Sequence, residues 1–245
     1  MKTSKVIGSL LLAIPLATAS FSAQAVPMET ALGIVIDGSG SISGSEFATQ
    51  QNAYASVLGN ASLVPANGSI AVNLVQFSSN AQLEQTALRI ESSSDRDTLV
   101  DAINDMSQLD GSTSIGSGIE RSRINMDSFL SGFGPAAFST DFRKLIDVST
   151  DGEHNTGYSP SLASQQALGD GYTKVNCLGI GNSADCTWNP SGSSDFDADS
   201  FEDLEPVLTQ KVGTELDTIP APSSLALLGA SLFAFGAIRG RKSEA

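Results

Sequence analysis

The sequence predicts an α/β domain: an open, doubly wound, mostly parallel sheet with helices on both faces. Two observations carry this expectation. Short apolar runs such as Ala31 to Ile36 and Phe142 to Val148 read as strands buried on both faces. Segments with helical spacing and helix-start signals stand between them, so strands alternate with helices that serve as crossovers.

Each element has its own signal. Ala31-Leu32-Gly33-Ile34-Val35-Ile36 is a continuous apolar strand. Ser43 and Glu46 have capping-box spacing and open a helix through about Leu58. Ser69 to Phe77 alternates and is rich in Val, Ile and Leu, so it is a strand; Ala81 to Ile90, close behind, is its antiparallel neighbour at the sheet edge. Ser94 to Met106 is a helix with Leu99, Ile103 and Met106 at helical spacing. A Gly/Ser/Thr loop, Asp110 to Ser114, leads into a helix from Ile115 to about Leu130. After a Gly/Pro-containing connection, Ser131 to Thr140, comes the strand Phe142 to Val148. Pro160 starts a helix to Leu168, followed by a strand from Lys174 to Ile180. Cys186 to Asp199 reads as a long polar loop, with Asp195, Asp197 and Asp199 solvated ahead of a helix N-terminus. The last helix lies within Ser200 to Leu216, its regular part starting near Pro206.

The two ends differ from the body. Lys2 and Lys5, the apolar stretch Val6 to Ala17 and the run ending Ala23-Gln24-Ala25 follow the order of a secretory signal, residues 1–25. At the other end, Ile219 to Ser224 is a Pro/Ser-rich linker, Leu225 to Ile238 is an apolar helix, and Arg239, Arg241 and Lys242 would hold the cytoplasmic side. This tail, 219–245, resembles the PEP-CTERM sorting signal of Gram-negative envelope proteins, with Pro220-Ala221-Pro222 carrying Ala where that signal usually has Glu. The resemblance implies an exosortase-type processing enzyme and at least transient insertion in the inner membrane. The domain proper is then 26–218, exported to the cell envelope or extracellular surface.

Of 27 acidic and 13 basic residues, 26 and 8 lie between the two ends, a net of about −18 for the body. Phosphate binding needs a basic face, so nucleic acid is excluded as a partner class. Cys177 and Cys186 would meet an oxidising compartment and are expected to pair. One histidine, His154, and no nucleophile motif leave no hydrolase triad, so no enzyme is expected. His154 itself is expected to be an exposed loop residue.

Ligands in a doubly wound sheet bind at the carboxyl ends of the strands, near the switch in strand order. Three loops destined for that edge carry oxygen donors: Asp37-Gly38-Ser39-Gly40-Ser41, then Gly111-Ser112-Thr113, then Thr150-Asp151-Gly152. Two carboxylates (Asp37, Asp151) and three hydroxyls (Ser39, Ser41, Thr113) make a hard-cation set suited to Mg²⁺. Asp37 and Asp151 supply negative charge directly or through water; with few carboxylates bound directly, the cation would keep net positive charge and draw a carboxylate from a partner.

The same five residues resemble the metal-ion-dependent adhesion site of von Willebrand factor type A (VWA) domains, D-x-S-x-S, then Thr, then Asp. The resemblance spans roughly Glu29 to Leu216. It implies a Rossmann-like fold, a bound Mg²⁺ (with Mn²⁺ or Ca²⁺ as substitutes) and adhesion or protein recognition in place of catalysis. A structural envelope or matrix role, with the metal only stabilising the fold, shares every one of these features.

Overall fold

The structure, a computed structural model, describes residues 26–217. The expected signal segment and the tail from 219 lie outside them. Among the described residues no helix is long and apolar enough to cross a membrane.

Six strands form one sheet: β1 (Met28–Asp37), β2 (Ile70–Phe77), β3 (Ala81–Arg89), β4 (Phe138–Thr150), β5 (Lys174–Ile180) and β6 (Asp195–Ala198). Their order is β3-β2-β1-β4-β5-β6, parallel throughout except for β3, the expected antiparallel edge. Five helices cover it: α1 (Gly44–Gly59), α2 (Ser93–Asp105), α3 (Ile115–Leu130), α4 (Pro160–Gly169) and α5 (Leu204–Glu215).

The alternation of β1 shows why an all-apolar strand needs two helical layers. Leu32, Ile34 and Ile36 face a core with Phe47 and Tyr54 of α1, Leu99 and Ile103 of α2, and Leu204, Leu208 and Val212 of α5. Val35 faces the other way, into a core with Ile115 and Ile119 of α3 and Ala163 and Ala167 of α4. α3 lies very close to the sheet because Gly118 has no side chain. A Cβ there would stand 2.6 Å from Val35 Cγ1, so a larger residue would lift the helix.

The helix starts were legible. Ser43 accepts from the Glu46 amide while Glu46 accepts from the Ser43 amide, the full capping box. Pro206 sits in the first turn of α5, where a missing N–H costs nothing.

Three expectations were too short or wrong. β1 begins at Met28 and β4 at Phe138, because the lower ends of both strands are paired within a small satellite core with Phe129, Phe133 and Phe142. A 3-10 turn over Pro135–Ala137 stands inside the supposed connection. Most importantly, the stretch read as a polar loop holds β6: Asp195 and Asp197 point to solvent while Ala198 is buried and Phe196 packs on the core.

Cys177 on β5 and Cys186 form a disulfide across a separation of 9 residues, pinning the loop after β5. That loop also reaches the β4 end, where the Asp185 amide donates to the Gly152 carbonyl. Cys186→Ser is expected to lower unfolding free energy by about 2.5 kcal/mol, the loop-closure value for a short ring. Urea denaturation of the variant beside the oxidised wild type checks it; equal midpoints would refute it.

Candidate metal centre

β1 and β4 are neighbours, and the chain leaves β1 for α1 on one face and reaches β4 from α3 on the other. Their carboxyl ends therefore flank the switch in strand order, where neither crossover fills the space. Asp37 is the last residue of β1, and Asp151 follows the last residue of β4.

Asp37 is fully buried. Its Oδ1 accepts the Ser39 amide at 2.8 Å and its Oδ2 accepts the Thr150 hydroxyl at 2.7 Å. The Ser39 and Ser41 hydroxyls lie 3.1 Å apart, and the Ser41 hydroxyl donates to Asp151 Oδ1 at 2.7 Å. Four of the five expected residues thus form one connected cluster. Thr113 is placed through its backbone: its amide donates to Asn155 Oδ1 at 2.9 Å, and its carbonyl accepts the Asn155 amide at 3.0 Å. The Gly40 amide donates to the Gly111 carbonyl and the Asp110 amide to the Gly38 carbonyl, so the Thr113 loop is clipped to the Asp37 loop. Gly111 adopts a left-handed φ of 94°, which glycine accommodates without strain.

Burial pushes the Asp37 carboxyl up to about 6, against the lowering effect of its hydrogen bonds to Ser39 and Thr150, and the Asp151 charge adds to the rise. Asp151 is also raised by burial, opposed by the Ser41 hydroxyl. A desolvated carboxyl with a second acid close by is stabilised in its charged form by a cation. The donors are oxygen only, two carboxylates and three hydroxyls. The hydroxyl-rich set therefore fits a hard divalent cation.

Ser41 and Asp151 open onto a cleft of about 810 Å³ whose lining also includes Glu46, Glu153, Asp185, Asp199 and Glu202 and no Lys or Arg. His154 is half-buried, contrary to expectation; its Nδ1 lacks a partner, and burial holds its pKa down.

Several supporting residues carried no motif. Gln50 donates to the Asp37 carbonyl at 2.8 Å, and Gln108 donates to the carbonyls of Ser39 and Ile42. Thr150 and Asn155 complete the frame. Gln50 had one usable signal: it shares the buried face of α1 with Phe47 and Tyr54, where a polar residue needs a partner.

Fold and site together define a doubly wound α/β domain with an oxygen-donor cluster at the carboxyl edge of its sheet. The sequence pattern of the von Willebrand factor type A domain matches residues 32–203, and the chain belongs to that family. A search of curated proteins finds no match. Among solved structures, proximal thread matrix protein 1 from the mussel byssus superposes with a TM-score of 0.63 at 22% identity, over 76% of this chain and 48% of that one. The same protein with a zinc-occupied MIDAS motif gives 0.62 at 21%, over 76% and 47%. The pilus adhesin SpaC from Lactobacillus rhamnosus GG, in its open conformation, gives 0.59 at 15%, over 79% and 30%. The chain spans about half the length of the mussel protein, and at these identities the likeness speaks to the fold.

Proposed function

We propose that this domain is an exported, non-catalytic recognition module of the cell envelope that holds one divalent cation, Mg²⁺ foremost, through Asp37, Ser39, Ser41, Thr113 and Asp151. The observation that carries this reading is the connected path from buried Asp37 through Ser39 and Ser41 to Asp151. A divalent cation bonded directly to the neutral hydroxyls, with Asp37 and Asp151 reached at least in part through water, would keep net positive charge and an exchangeable position, and so attract a carboxylate from a protein partner. The chain's own part is to fix the donors. Thr150 and the Ser39 amide hold Asp37 at the floor, Gln50 and Gln108 brace the loop from beneath, and Asn155 ties Thr113 to the loop after β4.

The acidic cleft narrows the partner. An all-acidic segment would be repelled, so the expected ligand offers one carboxylate flanked by Lys or Arg. The zinc-occupied motif of the mussel protein supports the metal, and the adhesin among the structural neighbours supports recognition. The signal segment 1–25 and the PEP-CTERM-like tail support export, with an exosortase-type enzyme acting on an end inserted in the inner membrane. Envelope material passed over immobilised protein in Mg²⁺ is expected to leave a partner that elutes with chelator and is not retained by Asp151→Ala. Retention indifferent to chelator would overturn recognition through the metal.

The second reading, a matrix protein whose metal only stabilises the fold, is favoured by the full burial of Asp37 and the cross-clipped loops. Chelator would then lower the melting temperature while leaving association unchanged.

A further inference from the structure

Away from the metal loops, α5 and the sheet enclose three ionisable side chains. Lys211 and Asp147 are fully buried and Glu215 nearly so, with side-chain exposures of 0%, 0% and 4%. Lys211 Nζ stands 2.5 Å from Asp147 Oδ1 and also contacts Glu215 Oε1. Neither Asp147 oxygen has a hydrogen-bond partner, so the amine lies against this carboxyl outside hydrogen-bond alignment. Asn176, the register partner of Asp147 on β5, donates to Glu215 Oε1 at 2.6 Å. The Phe196 ring lies 5.2 Å from Nζ. Tyr54, fully buried with an unpartnered hydroxyl, is close enough for the Asp147 charge to act on it.

We propose that Lys211 and Asp147 condense into an amide cross-link that joins α5 to the central strand β4. Three ions in a dry pocket carry a large desolvation cost, and one positive charge does not balance two negative ones. Burial drives the Asp147 carboxyl upward against the pull of Lys211, while the two acids hold the Lys211 ammonium against its own burial, so the neutral amine–acid pair is the minor form from which condensation proceeds. Moving one proton from the Lys211 ammonium to Asp147 leaves a free amine beside a carboxylic acid, with Glu215 Oε1 in contact with the amine. The Nζ lone pair attacks Asp147 Cγ and a C–N bond forms. Glu215 takes a proton from the nitrogen and passes it to the departing hydroxyl. The C–O bond breaks, water leaves, and Glu215 ends as it began. No oxidant or second reactant is needed. Three buried charges become one, and that one keeps the Asn176 hydrogen bond. A cavity of about 70 Å³ lined by Asn176, Phe196, Glu215 and Arg143 adjoins the pocket and receives the water.

The cross-link is independent of the metal reading, and peptide mapping of the full chain tests it. The purified protein is reduced, denatured and digested with trypsin. In most molecules cleavage after Lys211 is expected to fail. The fragment 145–174 is then joined to the one containing Lys211, lighter than their sum by one water, and fragmentation places the branch at Asp147 and Lys211. Lys211→Met and Glu215→Gln should give unbranched peptides. Wild-type protein cut cleanly after Lys211, with 145–174 at its linear mass, overturns the proposal whether or not either variant folds. A branch formed instead at Asn176 with loss of ammonia overturns the assignment to Asp147.

Discussion

Asp37→Ala is expected to lower Mg²⁺ affinity by more than about 100-fold in a calorimetric titration, beyond the roughly 10–100-fold typical of losing an outer partner of a ligand. The variant removes a carboxylate from the floor of the site and also strands the Ser39 amide and the Thr150 hydroxyl. Thr150→Val, which leaves every donor in place, should fall in the lower range. Wild-type binding unchanged in Asp37→Ala would show that the cation, if bound, sits elsewhere. The pH dependence follows from the same carboxyl. Without metal, folded Asp37 holds its proton up to about 6, while an unfolded one releases it near 3.8. The folded state therefore binds the extra proton in that window. The stabilising contribution of this group is present at low pH and lost as pH rises from about 4 to about 6. A cation competes with that proton, so affinity should weaken as pH falls below about 6; an affinity flat from pH 5 to 8 would contradict this.

Lys211→Ala is expected to cost about 3–5 kcal/mol, because it removes the link between α5 and β4 and leaves both Asp147 and Glu215 as free acids in the same dry pocket without a counter-charge. The shortened side chain also opens a void under α5. Guanidinium unfolding of the variant measures the loss, and a change below about 1 kcal/mol would mean that water already reaches the pocket. The metal loops lie at the opposite end of the sheet from the α5 C-terminus, so Mg²⁺ affinity in folded Lys211→Ala should be near that of wild type.

Much of the site was legible because it is built from short local patterns. Asp37, Ser39 and Ser41 lie within five consecutive positions at the end of an apolar strand, Thr113 stands just before a helix start, and Asp151 just after an apolar strand. What stayed hidden depended on single residues without spacing. Gln108, Thr150 and Asn155 are ordinary polar residues until the fold sets them against a loop carbonyl or a carboxylate. β6 was missed because Asp is disfavoured in strands, and only one face of this edge strand packs on the core, so the Phe196 and Ala198 alternation was too brief to outweigh two aspartates. The buried triad had misleading cues. Lys211 and Glu215 sit at i and i+4, the pattern of an exposed helical pair. Asp147 interrupts an apolar strand, and a charge there requires a buried partner; which one could not be read from the strand.

The sequence by itself determined the layered architecture and placed oxygen-bearing residues in three separate loops, because periodicity, capping and short motifs are properties of neighbouring residues. The tertiary structure alone decided that Ser41 reaches Asp151, that carboxylates wall the adjoining cleft, and that Lys211, Asp147 and Glu215 share one dry pocket. Those outcomes depend on strand order and helix packing, which join residues more than a hundred positions apart in the case of Ser41 and Asp151. Burial then sets the energetic weight of each charge, and burial is a property of the folded chain.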